Sequence, residues 1–249
     1  MKLFVEKNYD ALSQRASRIL IEEIRKKDDI VLGLATGSTP IGTYKELIKA
    51  HVENGLDFSK VKSFNLDEYV GLDANHPSSY RYFMDEELFN HINIEKSNTF
   101  VPDGKAENLE EYCKEYDKLI DECGGVDIQV LGIGTNGHIA FIEPADQLVT
   151  CTSVVKLKEN TIKDNSRFFE SIEEVPCTAI SMGICSILKA KKIILLASGK
   201  NKAEAIAKIL NNETINTHIP ASLLRLHPDV TIIVDEEAYS QRSIPWKEN

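Results

Sequence analysis

The sequence has no long hydrophobic run. Within its 249 residues, no stretch approaches the roughly 20 consecutive apolar residues that a membrane-spanning helix needs. Residues 1–7 hold neither an extended apolar region nor a cleavage site, so we expect no signal peptide. A net charge of −10 argues against general binding to nucleic acid or to anionic membranes. We therefore expect a protein without nucleic-acid or membrane partners.

The sequence also lacks the residue spacings of metal and disulfide sites. Its five cysteines form an odd number without a close pair, and its six histidines are scattered, with no H-x-x-x-H spacing. This pattern is typical of reduced thiols in a cytoplasmic protein, and it predicts neither a disulfide framework nor a bound metal. The cysteines are Cys113, Cys123, Cys151, Cys177 and Cys185.

What the sequence does contain is an alternation of apolar strands with amphipathic helices. No internal repeat, long linker or low-complexity tract interrupts it, so we expect one domain over residues 1–249. The pattern predicts an α/β fold: an open, mostly parallel, doubly wound sheet with helices on both faces, similar to the Rossmann arrangement. Predicted strands cover residues 2–5, 30–35, 61–66, 126–131, 192–197 and 230–234, with weaker extended segments at 148–157 and 176–180. Predicted helices cover 10–26, 41–54, 78–90, 108–123, 160–169, 181–189 and 200–210, and a further helix begins after Pro220.

A glycine-rich loop over residues 131–144 follows one of the buried strands and is the strongest functional signal. The loop contains Gly132, Gly134 and Gly137 together with Asn136, His138 and Glu143, and Pro144 closes it. The glycines match the G-x-G-x-x-G dinucleotide fingerprint, but that motif needs a helix directly after the third glycine, and the residues here are β-prone. The other interpretations are a tight turn around a hydrogen-bonded histidine and a catalytic loop.

Three segments could hold an anion. Gly37, Ser38 and Thr39 lie between a strand and a helix, where backbone amides and the helix dipole favour negative charge; the alternative is a plain turn, with Thr39 capping the helix. Lys202 lies at a second strand-to-helix junction. Its ammonium group could bind an anion there, and the alternative is a charge that is simply exposed to solvent. Arg167 stands beside two phenylalanines, and stacking on a ring is its ordinary explanation.

Asp67 and Glu68 are predicted at the end of a strand. Since side chains alternate along a strand, at most one of them readily enters a cleft, and the pattern does not choose between them. A carboxylate at that place can move a proton from carbon, or it can form a structural salt bridge. Ligands of such sheets bind at the carboxyl ends of the strands, near a change in strand order. Four of the candidate segments lie at that end: residues 36–39, 67–68, 132–143 and 198–202.

Taken together, residues 34–40, 65–72, 136–144 and 165–169 resemble the glucosamine-6-phosphate deaminase family, in order along nearly the whole chain. The resemblance implies that glucosamine 6-phosphate is opened, isomerised and deaminated to fructose 6-phosphate and ammonia, without cofactor or metal. It implies that His138 is the acid/base at the ring oxygen, oriented by Glu143 and Asn136. Asp67 is then the base that moves the proton from C2 to C1.

The resemblance further implies that Gly37, Ser38, Thr39, Arg167 and Lys202 bind the substrate phosphate, and that residues 150–180 form a mobile lid. The protein is expected as a monomer or a homo-oligomer.

The sequence departs from the family at three places. Many members have aspartate at the position of Asn136, and asparagine is common at the position of Ile142. Allosteric members carry basic residues where this chain has Ser153 and Val155, so we expect no activation by N-acetylglucosamine 6-phosphate. Two alternatives stay open: a 6-phosphogluconolactonase-like hydrolase, and a sugar-phosphate sensing domain without catalysis.

Overall fold

The computed structural model describes residues 1–211 and 213–241. The sequence also predicts a polar, loosely held tail from Ser240, and from position 242 on this tail lies outside the described residues. Ten strands are present within these ranges: β1 Lys2–Glu6, β2 Val31–Leu34, β3 Lys62–Asn65, β4 Asp67–Tyr69, β5 Thr99–Phe100, β6 Ile128–Leu131, β7 Ser153–Lys156, β8 Thr178–Ser181, β9 Lys192–Ala197 and β10 Val230–Asp235.

Eight α-helices lie between and after these strands: α1 Tyr9–Lys26, α2 Ile41–Asn54, α3 Tyr80–Glu87, α4 Leu109–Glu122, α5 Glu159–Asn165, α6 Ile184–Leu188, α7 Ala203–Asn211 and α8 Glu236–Tyr239. Local chemistry explains where several of them begin. The side chain of Asn8 accepts a hydrogen bond from the amide of Ala11 at the start of α1, and that of Asn108 accepts one from the amide of Glu111 at the start of α4. Within the described ranges, no helix is long and apolar enough to cross a bilayer.

The main sheet has seven parallel strands in the order β1-β10-β9-β6-β2-β3-β5. From β2 the chain moves outwards through β3 to β5. It then returns to the other side of β2 with β6 and moves outwards again through β9 to β10. The change in strand order therefore lies between β2 and β6, which are hydrogen-bonded neighbours. This confirms the predicted doubly wound, mostly parallel sheet, with β1 at its edge.

Both faces of this sheet are covered, because alternate strand residues enter two different apolar clusters. Leu32 of β2 and Val130 of β6 pack on one side with α1 and α2. Val31 of β2 and Leu131 of β6 pack on the other side with α4, α6 and α7. Burial on both faces is the reason that these strands appear as continuous apolar runs in the sequence.

A second sheet was not foreseen from the sequence. It contains three antiparallel strands in the order β4-β8-β7. Leu66 alone separates β3 of the main sheet from β4 of this small sheet, and its carbonyl accepts a hydrogen bond from the amide of Met182. The prediction that Asp67 and Glu68 end a strand is therefore wrong: they begin the next one.

One local prediction was also wrong. Thr39 does not cap α2: Pro40 occupies the cap position, and no side chain makes a capping hydrogen bond there. The helix predicted at Pro220 is present, and it is a 3-10 helix over Pro220–Leu226. Its proline cannot donate a backbone hydrogen bond, but the first turn of any helix leaves that donor unused.

Candidate active site

A cavity of about 580 Å³ opens at the carboxyl ends of the parallel strands, at the change in strand order. The loops that follow β2, β6 and β9 contribute to its wall, as do β4 of the small sheet and α5. Its volume lies in the range of small-molecule sites. The predicted convergence of distant segments is therefore present: Asp67, His138, Arg167 and Lys202 all line this one cavity.

His138 is held in the loop after β6 by a short polar network. The amide of His138 donates to Asn136 Oδ1 at 3.1 Å, and Asn136 Nδ2 donates to Glu143 Oε2 at 2.9 Å. The same Glu143 oxygen lies 3.7 Å from His138 Nδ1, which is ion-pair distance when the imidazole is protonated. Asn136 thus fixes both the backbone of His138 and the carboxylate that faces its ring.

Glu143 stays ionised although it is largely buried. Burial on its own raises the pKa of a carboxyl, but His138, the Thr161 hydroxyl and the Asn136 amide stabilise the charged form and lower the pKa of Glu143 to about 2. The negative charge of Glu143 therefore lies beside the imidazole of His138. Imidazole is the side chain most often used to give and take a proton in catalysis.

Gly134 supplies the space in which the imidazole lies. A Cβ atom at this position would come within 2.3 to 2.5 Å of three ring atoms of His138, so a larger residue would displace the ring. The backbone of the loop is also unusual at Ala140, whose φ of 49° is the positive-φ conformation that L residues seldom adopt. No helix follows the third glycine, so the structure offers no support for the dinucleotide interpretation.

Of the two adjacent carboxyl groups, Asp67 enters the cavity and Glu68 does not. Glu68 points to the other side of β4 and accepts hydrogen bonds from the amides of Tyr69, Tyr80 and Arg81, at 2.8 to 3.0 Å. Asp67 is 7% exposed, and burial together with the charge of Glu68 raises its pKa to about 8. The prediction that at most one of the two side chains enters a cleft is confirmed, and that side chain is Asp67.

The candidate phosphate-binding residues line the cavity together. Gly37 has a φ of 89°, which lets the loop after β2 turn sharply, and Ser38 and Thr39 follow it in the wall. Lys202 is partly buried, and this burial lowers the pKa of its ammonium group. Arg167 stacks on Phe168, with its guanidinium carbon 4.8 Å from the ring centre, and also lines the cavity. Stacking and anion binding are therefore compatible at this position.

Sequence reasoning missed Thr161. It lies on α5 with 3% exposure, and its hydroxyl donates to Glu143 Oε1. The only signal in the sequence was its spacing from Arg167, six residues later on the same short helical segment. Within residues 1–211 and 213–241, no group of three or more metal-ligating side chains is present.

The sequence was compared with known proteins. A family model described as glucosamine-6-phosphate isomerases/6-phosphogluconolactonase matches residues 6–233. A glucosamine-6-phosphate deaminase of Clostridium perfringens strain 13 is 55% identical over 238 residues, which cover 96% of this chain and 98% of the relative. A glucosamine-6-phosphate deaminase of Clostridium tetani is 58% identical, with the same coverage of both chains.

Proteins of known structure are also similar to this chain. A structure described as a monomeric glucosamine-6-phosphate deaminase superposes with a TM-score of 0.95 at 48% identity, covering 97% of this chain and 100% of the other. A 6-phosphogluconolactonase from Trypanosoma cruzi superposes with a TM-score of 0.78 at 21% identity, covering 98% and 97%. At that identity the second likeness concerns the fold alone.

Proposed function

Because this chain belongs to the family of glucosamine-6-phosphate isomerases and 6-phosphogluconolactonases, we propose that it is a glucosamine-6-phosphate deaminase. It converts glucosamine 6-phosphate and water to fructose 6-phosphate and ammonia. The relatives that share more than half of its residues over nearly its full length carry this name. The observation that supports it best is that a buried carboxyl group, Asp67, and an imidazole, His138, open into one cavity.

The reaction begins with ring opening at His138. The sugar enters as a closed ring, and opening requires one proton to leave the C1 hydroxyl and one to reach the ring oxygen. An imidazole beside an ionised carboxylate can carry out both transfers, and Glu143 stabilises the imidazolium form between them. A positioned acid/base of this kind contributes a factor of about 10² to 10⁴ in rate.

Asp67 then moves a proton between adjacent carbons. As a carboxylate it takes the proton from C2, while O1 takes up a proton that the substrate's ammonium group releases, which leaves an enol at C1 and the amine on C2. Asp67 then returns its proton to C1, so that C1 becomes a hydroxymethyl carbon and C2 carries an iminium group. Water adds to C2 and ammonia leaves, which gives the ketose. One carboxylate suffices for both transfers because C1 and C2 are bonded neighbours.

The phosphate group is bound by a separate set of residues that line the same cavity. Gly37, Ser38 and Thr39 offer amide and hydroxyl donors, and Lys202 and Arg167 offer positive charge that offsets the acidic net charge of the chain. Binding energy gained there positions the reacting carbons against Asp67 and His138. The chemistry consists of proton transfers and needs neither a redox cofactor nor a metal.

The remaining features of the proposal are a cytoplasmic location, a single domain over residues 1–249 and a sugar phosphate as the only partner of the site. One solved relative is described as monomeric. We propose that this chain is either a monomer or a homo-oligomer whose cavity is complete within each copy, and light scattering after gel filtration distinguishes the two.

A coupled assay for ammonia and fructose 6-phosphate tests the function. The wild-type protein should release both products in equal amounts from glucosamine 6-phosphate, and Asp67→Asn and His138→Ala should each lose nearly all turnover. A lactonase would hydrolyse 6-phosphogluconolactone and would be little affected by Asp67→Asn. A sensing domain would bind the sugar phosphate and release no ammonia.

The pH dependence of kcat/KM gives a further check. Asp67 accepts the C2 proton only when it is ionised, and burial raises its pKa to about 8 in the free protein. We therefore expect kcat/KM to rise with pH through the neutral range and to level off near that value. A profile that is already flat above pH 5 would contradict the role of Asp67 as a buried base.

A further inference from the structure

The carboxylate of Glu143 is held by a different partner at each oxygen. Oε2 accepts a hydrogen bond from Asn136 Nδ2 at 2.9 Å and faces His138 Nδ1 at 3.7 Å. Oε1 accepts a hydrogen bond from the hydroxyl of Thr161. A carboxylate can rotate about the bond that joins it to its side chain, and that rotation exchanges the two oxygens. A donor on Oε1 therefore keeps Oε2 directed at the imidazole.

Thr161 is well suited to hold that oxygen. The residue is 3% exposed and the Glu143 side chain 8%, so water does not readily replace the hydroxyl as a donor. Hydrogen bonds to charged acceptors are stronger than neutral ones, and a buried acceptor that loses its partner is costly. Threonine is also stiff at its first side-chain torsion because it is β-branched, which limits the positions that the hydroxyl can take.

The helix that carries Thr161 is fixed to the catalytic loop by a second contact. The hydroxyl of Thr135, in the loop after β6, donates to Asp164 Oδ2 on α5 at 3.2 Å. Thr161 and Asp164 are three residues apart and therefore lie on one face of α5. Two hydrogen bonds thus join this face to the loop that holds His138 and Glu143.

We propose that Thr161 is a positioning residue for the deamination reaction and acts through Glu143. Its hydroxyl holds the carboxylate in the one orientation that presents Oε2 to His138. It touches no substrate atom in this role and alters the proton-transfer step instead of substrate binding. The inference rests on the proposed function, since the orientation of Glu143 matters only if His138 transfers protons.

The experiment compares Thr161→Val with Thr161→Ser. Valine has the shape of threonine without the hydroxyl, whereas serine keeps the hydroxyl. We expect kcat of Thr161→Val to fall about tenfold or more, the size of effect found for lost hydrogen bonds to charged groups, with KM changed less than kcat. Thr161→Ser should recover kcat to within a small factor of the wild type.

Thr214→Val is the matched control. Thr214 is exposed and does not line the cavity, so the same chemical change there should leave kcat and KM as in the wild type. Thermal unfolding of all variants shows whether each is folded, and Thr161→Ala replaces Thr161→Val if the latter does not fold.

The inference is overturned if Thr161→Val keeps the wild-type kcat, if Thr161→Ser is as impaired as Thr161→Val, or if only KM changes. Failure of the proposed function gives a different result, because the wild type itself then releases no ammonia from glucosamine 6-phosphate.

Discussion

Replacing Asp67 by asparagine should abolish activity and at the same time stabilise the folded protein at neutral pH. The carboxyl is 7% exposed, and burial first, then the charge of Glu68, raises its pKa from 3.8 to about 8. Ionisation of Asp67 therefore opposes folding. Asparagine has nearly the same shape and carries no charge, so it removes this opposition together with the proposed base.

The size of the effect follows from proton linkage. Between pH 3.8 and about 8, the folded state keeps a proton on Asp67 that the unfolded chain has released. The free energy of unfolding of the wild type then falls with rising pH, by about 1.4 kcal/mol per pH unit for one such group. Between pH 5 and pH 7 the Asp67 contribution should therefore decline by about 3 kcal/mol, and Asp67→Asn should not show this decline.

Urea unfolding at pH 5, 6 and 7 measures the difference between the two proteins. The buried Glu68 also has a raised pKa, of about 7, and it is present in both proteins, so the part of its effect that does not depend on the charge of Asp67 cancels in the difference. Asp127→Asn is the control: Lys191, Lys27 and the amide of Val31 lower the pKa of Asp127 against the effect of burial, so its stability difference should stay constant over this pH range. Parallel stability curves for the wild type and Asp67→Asn would refute the reasoning.

Three further results are expected. Gly134→Ala should lower kcat about a hundredfold or more, because a Cβ would lie within 2.5 Å of the His138 ring and displacing a catalytic group can reduce the rate by this factor. Circular dichroism should show that the fold is kept, and an unchanged kcat would contradict the packing. Lys202→Gln should raise KM for glucosamine 6-phosphate about tenfold or more, because a charge-assisted contact is lost; an unaltered KM would place the phosphate elsewhere. Steady-state rates should be the same with and without N-acetylglucosamine 6-phosphate, since Ser153 and Val155 offer no positive charge; clear activation would contradict this.

The main sheet could be predicted because each of its central strands is a short apolar run that is buried on both faces. Val31–Leu34 and Ile128–Leu131 are fully buried, and the glycine-containing loops that follow them mark the ends of the strands. The convergence of the candidate residues then followed from the general rule for parallel sheets.

The small sheet could not be predicted in the same way. Asp67–Tyr69 has only three residues, which is too short for a periodic pattern to emerge, and the weaker extended segments predicted at 148–157 and 176–180 do not reveal which strand they pair with. The contact between Thr161 and Glu143 was also out of reach, because the two residues are 18 positions apart and meet only after α5 packs against the loop. The same holds for Gly134, whose role depends on where the ring of His138 lies in space.

The change of sheet at Leu66 divides the chemistry between two supports. The proposed phosphate loop and the histidine network follow the parallel strands, whereas the proposed base, Asp67, stands on β4 of the antiparallel sheet. An engineer could therefore exchange the side chain at position 67, or the ribbon itself, while leaving recognition of the phosphorylated sugar in place. This arrangement allows the same fold to acquire a new reaction on the same class of substrate while the residues that bind the ligand stay unchanged.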